Sequence, residues 1–232
     1  QQDLDTLRHL LSRITFGESP PLYEEARRLG FTAYLDQQLA PALIDDSQVD
    51  TTLAAIDVVS LWSLRHKTLL RMSDSRRQLN EVMTWFWENH FNTDNRRHGH
   101  FEWEQQENED FRRHALGNFS NLLRASAHSP AMLYYLDNTL SQKRMPNENY
   151  ARELLELHTV GSSHTQADID DVARALTGWT VLDGAFSFTA DRHDDGEKRI
   201  LGKIFPPGGG EADGDQLLSL LASHPATARH IC

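Results

Sequence analysis

NENYARELLELHTVG, Asn147 to Gly161, carries the densest polar patterning of the chain. Pro146 and Asn147 suit a helix start. At about 100° per residue, Asn149, Arg152, Glu153 and Glu156 share one face, while Tyr150, Ala151, Leu154, Leu155, Leu157 and His158 cover the other. The spacing predicts an amphipathic helix with a charged ridge. The carboxylates and His158 point apart, which excludes the inward-facing Glu-x-x-His of a di-iron helix and the His-Glu-x-x-His of a zinc helix. Two readings of the ridge stay open. It is a solvated face in which Arg152 and Glu156, four residues apart, pair for about a few tenths of a kcal/mol. Or it is the wall of a polar cleft in which Glu153 and Glu156 act as acid, base or metal ligand, because adjacent carboxylates push one pKa up. His158, on the apolar side near the helix end, reads as a core or capping histidine.

Helical periodicity continues on either side. LDTLRHLLSRITFG spaces Leu4, Leu7, Leu10, Leu11 and Ile14 mostly by three and four before Gly17 stops the pattern. SPPLYEEARRLGFTAYLDQQLAP gives two short helices, with Ser19 as cap, Gly30 between them and Pro41 at the end. Residues 42–52 are acidic and polar and read as a loop. A long helix is expected through SDSRRQLNEVMTWFWENHF, with Leu79, Val82, Met83, Phe86 and His90 in one stripe. His90 on that stripe reads as a hydrogen-bonded core residue. An exposed aromatic among Trp85, Trp87 and Phe91 would offer a sugar-stacking platform, with core packing the plainer use. One helix is expected through Phe111, Ala115, Phe119, Leu122 and Leu123, then a short one in PAMLYYLDN.

After Gly161, TQADIDDVARALTGW has a capping box from Thr165 and Asp168, a buried stripe of Ile169, Val172, Ala173 and Leu176, and Gly178 at its end. AFSFTADRHDDGEKRILGKIF then alternates about Asp195-Gly196, a hairpin turn signal. PPGGGEADGD reads as a flexible loop and DQLLSLLAS as a helix. SHPATARHIC reads as the start of another helix, with Ser223 or His224 as cap and Pro225 near its first position. The expected fold is all-α, a mainly helical orthogonal array with one small β-hairpin near residues 185–204. Residues 1–232 are expected to form one helical domain with a sub-boundary near 42–52, an N-terminal fragment of a longer domain.

Composition narrows the function. With 23 Lys plus Arg against 34 Asp plus Glu, the formal net charge is −11, a poor match for nucleic acid or anionic lipid. No apolar run reaches the length of a membrane helix, so no membrane insertion is expected, and the opening QQDLDTLRHLLSR is not a signal peptide. The single cysteine, Cys232, supports no disulfide framework. Nucleophile-elbow and phosphate-loop motifs are absent. Asp191, His193, Asp195 and Gly196 fall in a calcium-loop register, but its twelfth position is Gly202, not Glu, so that reading fails. A hairpin explains the stretch; the sharper alternative has His193 and Asp194 reach the Glu153/Glu156 ridge and complete an acid–base or metal site. Arg174 is expected either in a surface pair with Asp170 or Asp171, or buried against Glu153 or Glu156.

NENYARELLELHTVG, HTQADIDDVARALTGWT and HDDGEKRILGK, in that order, with HLLSRITFG, WFWENHF, HALGNFSNLL, SPAMLYYLDN and HPATARHIC, resemble a large bacterial family known as domain of unknown function 1800. The resemblance runs over essentially the whole chain. Recurrent family positions map to Arg13, Phe16, Gly17, His90, Asn118, Asn147, Asn149, Arg152, Glu153, Glu156, Thr165, Arg174, Gly178, Trp179, His193, Asp194 and Lys198. Between Gly161 and Thr165 the chain has SSH where the family often has a longer turn. The resemblance implies a domain about twice as long and an exported protein, periplasmic or extracellular. It also implies a partner from a second exported family related to sulfatases and phosphatases.

Two functional hypotheses follow. In the first the protein is an exported hydrolase, metal-assisted through a divalent ion. Glu153, Glu156, His193 and Asp194 are its catalytic or ligating groups, and Asn149, Arg152, Arg174 and Lys198 hold the substrate. In the second it is a non-catalytic envelope or partner-binding domain, and the same residues form a structural ion-pair network. Oligomeric state is not legible in the sequence.

Overall fold

A computed structural model describes residues 2–97 and 99–232, with side chains from Thr6 onward. The chain is mainly helical and carries two small antiparallel two-stranded sheets. It divides into two compact units, one ending at Asn89 and the other beginning at His90.

The first unit follows its caps closely. α1 (Gln2–Ile14) buries Leu7, Leu10 and Leu11; the Leu4 side chain of that expected stripe lies outside the described residues. α2 (Pro20–Leu29) and α3 (Phe31–Leu39) are separated by Gly30 at φ 83°, a value that glycine adopts without the Cβ cost. The stretch expected as a loop at 42–52 contains α4 (Ser47–Ala54). α5 (Leu61–Asp74) has no counterpart in the sequence reading. Its Trp62 and Leu69 are exposed, so its apolar residues do not form the stripe that signals a helix. α6 (Gln78–Phe91) starts after α5 has ended, so of the SDSRR of the expected long helix Ser73 and Asp74 close α5 and Ser75, Arg76 and Arg77 form the junction. Its buried positions are Gln78, Leu79, Asn80, Glu81, Thr84, Trp87 and Phe91, so Leu79 of the expected stripe is buried. Phe86, on the expected stripe, is exposed, as is half of Trp85.

The second unit holds the rest. The helix expected through Phe111 and Leu123 is two, α7 (Phe101–His114) and α8 (Phe119–Ala127). Asn118 makes the break: its side chain accepts from Ser120 N at 2.8 Å and caps α8. α9 (Pro130–Tyr135) and α10 (Glu148–Glu156) follow, then α11 (Gln166–Ala175). β1 (Trp179–Leu182) pairs with β2 (Ala185–Phe188), and β3 (Lys198–Ile200) with β4 (Lys203–Phe205). Both hairpins turn through two residues at positive φ: Asp183-Gly184 at 51° and 77°, and Leu201-Gly202 at 48° and 81°. That is the type I′ geometry that suits strand twist. Asp195-Gly196 is a bend outside both hairpins. α12 (Glu211–Ser223) begins earlier than expected and takes in Asp213 and Gly214; α13 (Pro225–Ile231) is capped by the His224 side chain.

This unit buries Phe91, Phe111, Met132, Tyr150, Leu154, Val172, Trp179 and Leu217 in its core. Gly214 is required where α12 crosses Trp179, because a Cβ there would overlap the indole ring. Among the described residues no helix is long and apolar enough to cross a membrane.

Candidate functional site

α10 follows the sequence reading. Asn147 caps it by accepting from Asn149 N at 2.9 Å, and Tyr150, Ala151, Leu154 and Leu155 are buried. The exception is Leu157. The helix ends at Glu156, so Leu157 turns outward and is 56% exposed. On the ridge Arg152 bonds Glu148 at 3.0 Å and Glu156 at 3.3 Å, with all three side chains 41–48% exposed. Gln166 of α11 adds hydrogen bonds to Glu148 and Asp170. Asn149 is exposed and donates to Leu136 O at 3.3 Å. Glu153 is half-buried and makes no side-chain hydrogen bond or ion pair among the described residues.

A histidine that the sequence reading passed over joins this ridge. His164 Nδ1 lies 2.8 Å from Gly161 O; a carbonyl only accepts, so Nδ1 donates and carries the proton. Nε2 then faces Glu156 Oε1 at 3.6 Å. The one signal for His164 was the shortened SSH turn.

His193, Asp194, Arg174 and Lys198 assemble elsewhere, between α11 and β3. Asp168, Asp171 and Arg174 recur at three-residue spacing, which aligns them along one side of α11. Asp168 accepts from Leu201 N at 2.6 Å, and Asp171 accepts from Arg199 N at 2.7 Å. Arg174 grips Asp194 with two bonds, Nε to Oδ2 at 2.8 Å and Nη2 to Oδ1 at 3.1 Å, and reaches Asp171 at 2.6 Å and Glu197 O at 3.0 Å. One N–H of the edge strand β3, at Arg199, and one of the turn that follows it, at Leu201, are therefore satisfied by helix carboxylates, so the strand is docked without a third strand. Thr165 and Asp168 form the expected capping box as well. Of the two expectations for Arg174, pairing with Asp171 holds, while its main partner is Asp194, not Glu153 or Glu156.

The Arg174 guanidinium holds the Asp194 carboxyl down at about 2 against the opposing pull of burial, with the Gly196 N–H assisting at 2.9 Å. Arg174 is itself raised, first by its bonds to Asp194. Gly196 is fixed by this packing, since a Cβ would lie 2.7 Å from Arg174 Nη2.

Beneath that clasp the charges are sealed. Lys198 Nζ donates to Asp213 Oδ2 at 2.6 Å and to Gly196 O at 3.0 Å. His193 Nε2 lies 3.4 Å from the same Asp213 oxygen, and its Nδ1 lies 2.8 Å from Thr177 O. The three side chains are 0–1% exposed. Asp213 was hidden in a stretch that read as flexible. Gly209 is there because a Cβ would overlap the Asp213 carboxylate, which is packing and not looseness.

Structure thus divides the eight sequence-predicted residues. Asn149, Arg152, Glu153 and Glu156 lie on the α10 ridge, whereas Arg174, His193, Asp194 and Lys198 lie at the α11–β3 junction. Among the described residues no hydrogen bond or ion pair joins the two sets, and no group of three or more His, Cys, Asp or Glu is placed to hold a metal ion.

Away from both, His90 Nε2 donates to His158 O at 3.1 Å, and His230 Nε2 donates to Leu157 O at 3.2 Å. Burial pushes His158 down to about 3, with His90 adding to the effect, and its Nδ1 has no partner among the described residues. His158 is a core histidine, as its place on the apolar face implies. In the N-terminal unit a cleft of about 400 Å³ is lined by Leu22, Glu25, Tyr34, Thr52, Ser75 and Arg76, among others, and by none of the eight.

A mainly helical unit whose polar motifs knit a helix to a hairpin is the class that fold and site define. The chain belongs to the family described as Protein of unknown function (DUF1800), whose model matches residues 9–232. No curated protein and no solved structure matches it.

Proposed function

We propose that this chain is a non-catalytic, partner-binding domain of an exported bacterial protein. In this reading Arg174, Asp194, His193 and Lys198 form a structural ion network, and the α10 ridge is the surface offered to a partner. One observation carries the reading: the groups that a shared reaction centre would need are split between an exposed ridge and a largely buried junction, each with its own partners. A carboxylate held by a two-pronged arginine and a lysine held by a buried aspartate are spent on each other and not on a substrate. The acidic balance makes a polyanionic partner a poor match. A protein of the sulfatase- and phosphatase-related exported class is the partner we propose.

A metal-assisted hydrolase centred on the ridge is the second reading, favoured by Glu156 and His164. A ring oriented through Nδ1 beside a carboxylate is half of an acid–base device. The two readings separate in one experiment. Wild type, Glu156→Gln and His164→Gln are assayed on chromogenic esters, phosphoesters, amides and glycosides, with and without divalent cations, alongside melting curves. The binding reading expects no turnover by any of them and unchanged melting. Turnover by wild type that both variants lose while still folded would establish the hydrolase instead.

A further inference from the structure

The sealed group at the α11–β3 junction has a chemical peculiarity. His193 Nδ1 faces the Thr177 carbonyl oxygen at 2.8 Å and so carries a proton. In the neutral ring Nε2 is then a bare lone pair, and what it faces at 3.4 Å is a carboxylate oxygen of Asp213. A proton across that contact sits on Nε2 or on Oδ2, and Asp195 Oδ1, 3.9 Å from Nε2, is the other carboxylate the ring faces. Placed on Oδ2, that proton makes the carboxyl an acid. The same oxygen lies 2.6 Å from Lys198 Nζ. One proton transfer from the ion pair, the site holds a neutral amine against a neutral carboxylic acid, with no charge to solvate in a place that water does not reach.

We propose that Lys198 and Asp213 condense to a side-chain amide, an isopeptide crosslink between β3 and α12, with His193 as the group that positions the proton. The Nζ lone pair adds to Asp213 Cγ and a C–N bond forms. Nζ passes one proton to Oδ2 along their hydrogen bond, and Oδ2 already bears the proton that His193 holds there. The Cγ–Oδ2 bond breaks, its electron pair leaves with oxygen, and one water departs. Nothing is oxidised or reduced, and no co-reactant is needed. Fixed geometry supplies the drive, since oriented intramolecular groups react as though at about 10⁵ M or more. The Gly209 backbone lies against the carboxylate, where any side chain would overlap it. Around the junction Trp179, Ile200 and Phe205 are fully buried, so the product amide is shielded from hydrolysis.

The test is the intact mass of the full chain under denaturing conditions, followed by proteolysis and tandem mass spectrometry. The expected result is a mass one water below that of the sequence and a branched peptide joining Lys198 to Asp213. Asp213-Gly214 is also an Asp-Gly step, and a succinimide there would lose the same water. Lys198→Arg separates the two: the crosslink needs the amine, so the variant should return to the full mass of its own sequence. A water deficit that persists in Lys198→Arg would overturn the proposal. So would a wild-type protein at full mass with Lys198 and Asp213 on separate peptides, and that digest decides the matter even if the variant does not fold. In newly synthesised chain followed by pulse labelling, His193→Gln should slow the appearance of the mass deficit without changing the linked residues.

Discussion

The α10 ridge and the α11–β3 junction are equally charged in sequence and opposite in structure. On the ridge, Arg152, Glu148 and Glu156 are each more than two-fifths exposed, and their pairs run along one helix. At the junction, Arg174 and Asp194 are about a quarter exposed, and below them Lys198, Asp213 and His193 are closed off altogether. Surface pairs gain little, because water and salt screen them and two long side chains must be ordered. Buried pairs gain little over an apolar substitute, but breaking one is expensive because the surviving charge has no water. Dense polar patterning therefore does not mark a reaction centre by itself. In this chain it marks a solvated surface in one place and a joint between helix and hairpin in the other.

That contrast is broken most sharply at the bottom of the junction. Lys198→Ala or Asp213→Ala strands one buried charge and should cost about 3–5 kcal/mol, measured by urea denaturation, enough to leave much of the C-terminal unit unfolded. A loss below about 1 kcal/mol would mean that the group is not sealed as described.

One layer up, Asp194→Asn or Arg174→Lys should cost about 1–3 kcal/mol, since both remove the two-pronged bond and leave the strand-docking carboxylates in place. The same bond has a pH signature. Asp194 titrates near 2 when folded, against 3.8 as its ordinary value. A lowered carboxylate contributes stability that is fully present above the ordinary value and is lost as pH falls through the folded one. Acid should therefore erode the clasp between about pH 4 and 2, and Asp194→Asn should remove that limb of the stability curve.

His158 acts at milder pH. It is neutral in the core down to about 3, whereas its ordinary value is 6.5. Below pH 6.5 the unfolded chain takes up a proton that the folded protein refuses, so stability should fall by on the order of a kcal/mol per pH unit toward pH 3. His158→Met should flatten that slope; an unchanged slope would assign it to other groups. The smallest effect belongs to the ridge: Arg152→Ala should change stability by less than about 0.5 kcal/mol, and less again at high salt.

Local signals were legible where one short stretch contains its own physics. The Thr165–Asp168 box, the caps at Gly30 and His224, and the buried face of α10 are all local patterns. What escaped depends on partners far away in sequence. Asp213 reads as loop because the glycines around it look permissive; only the fold shows that Gly209 and Gly214 are dictated by a carboxylate and an indole. Asp-Gly occurs at 183, 195 and 213, and nothing local tells which one turns a hairpin; pairing across Leu182 and Ala185 chose the first. α5 and the exposed Phe86 of the α6 stripe escaped for another reason. Trp62, Leu69 and Phe86 are apolar but exposed, so counting apolar residues misplaces the buried face.

The central claim is that junction charges hold the fold and ridge charges do not. Melting of Asp194→Asn beside Glu156→Gln, in one buffer at neutral pH, tests it most directly. A loss of 1 kcal/mol corresponds to about 2–4 °C for a chain of this size. The account predicts that Asp194→Asn melts several degrees below wild type while Glu156→Gln stays within about one degree of it. The reverse order, with Glu156→Gln unfolding early and Asp194→Asn unmoved, would contradict it.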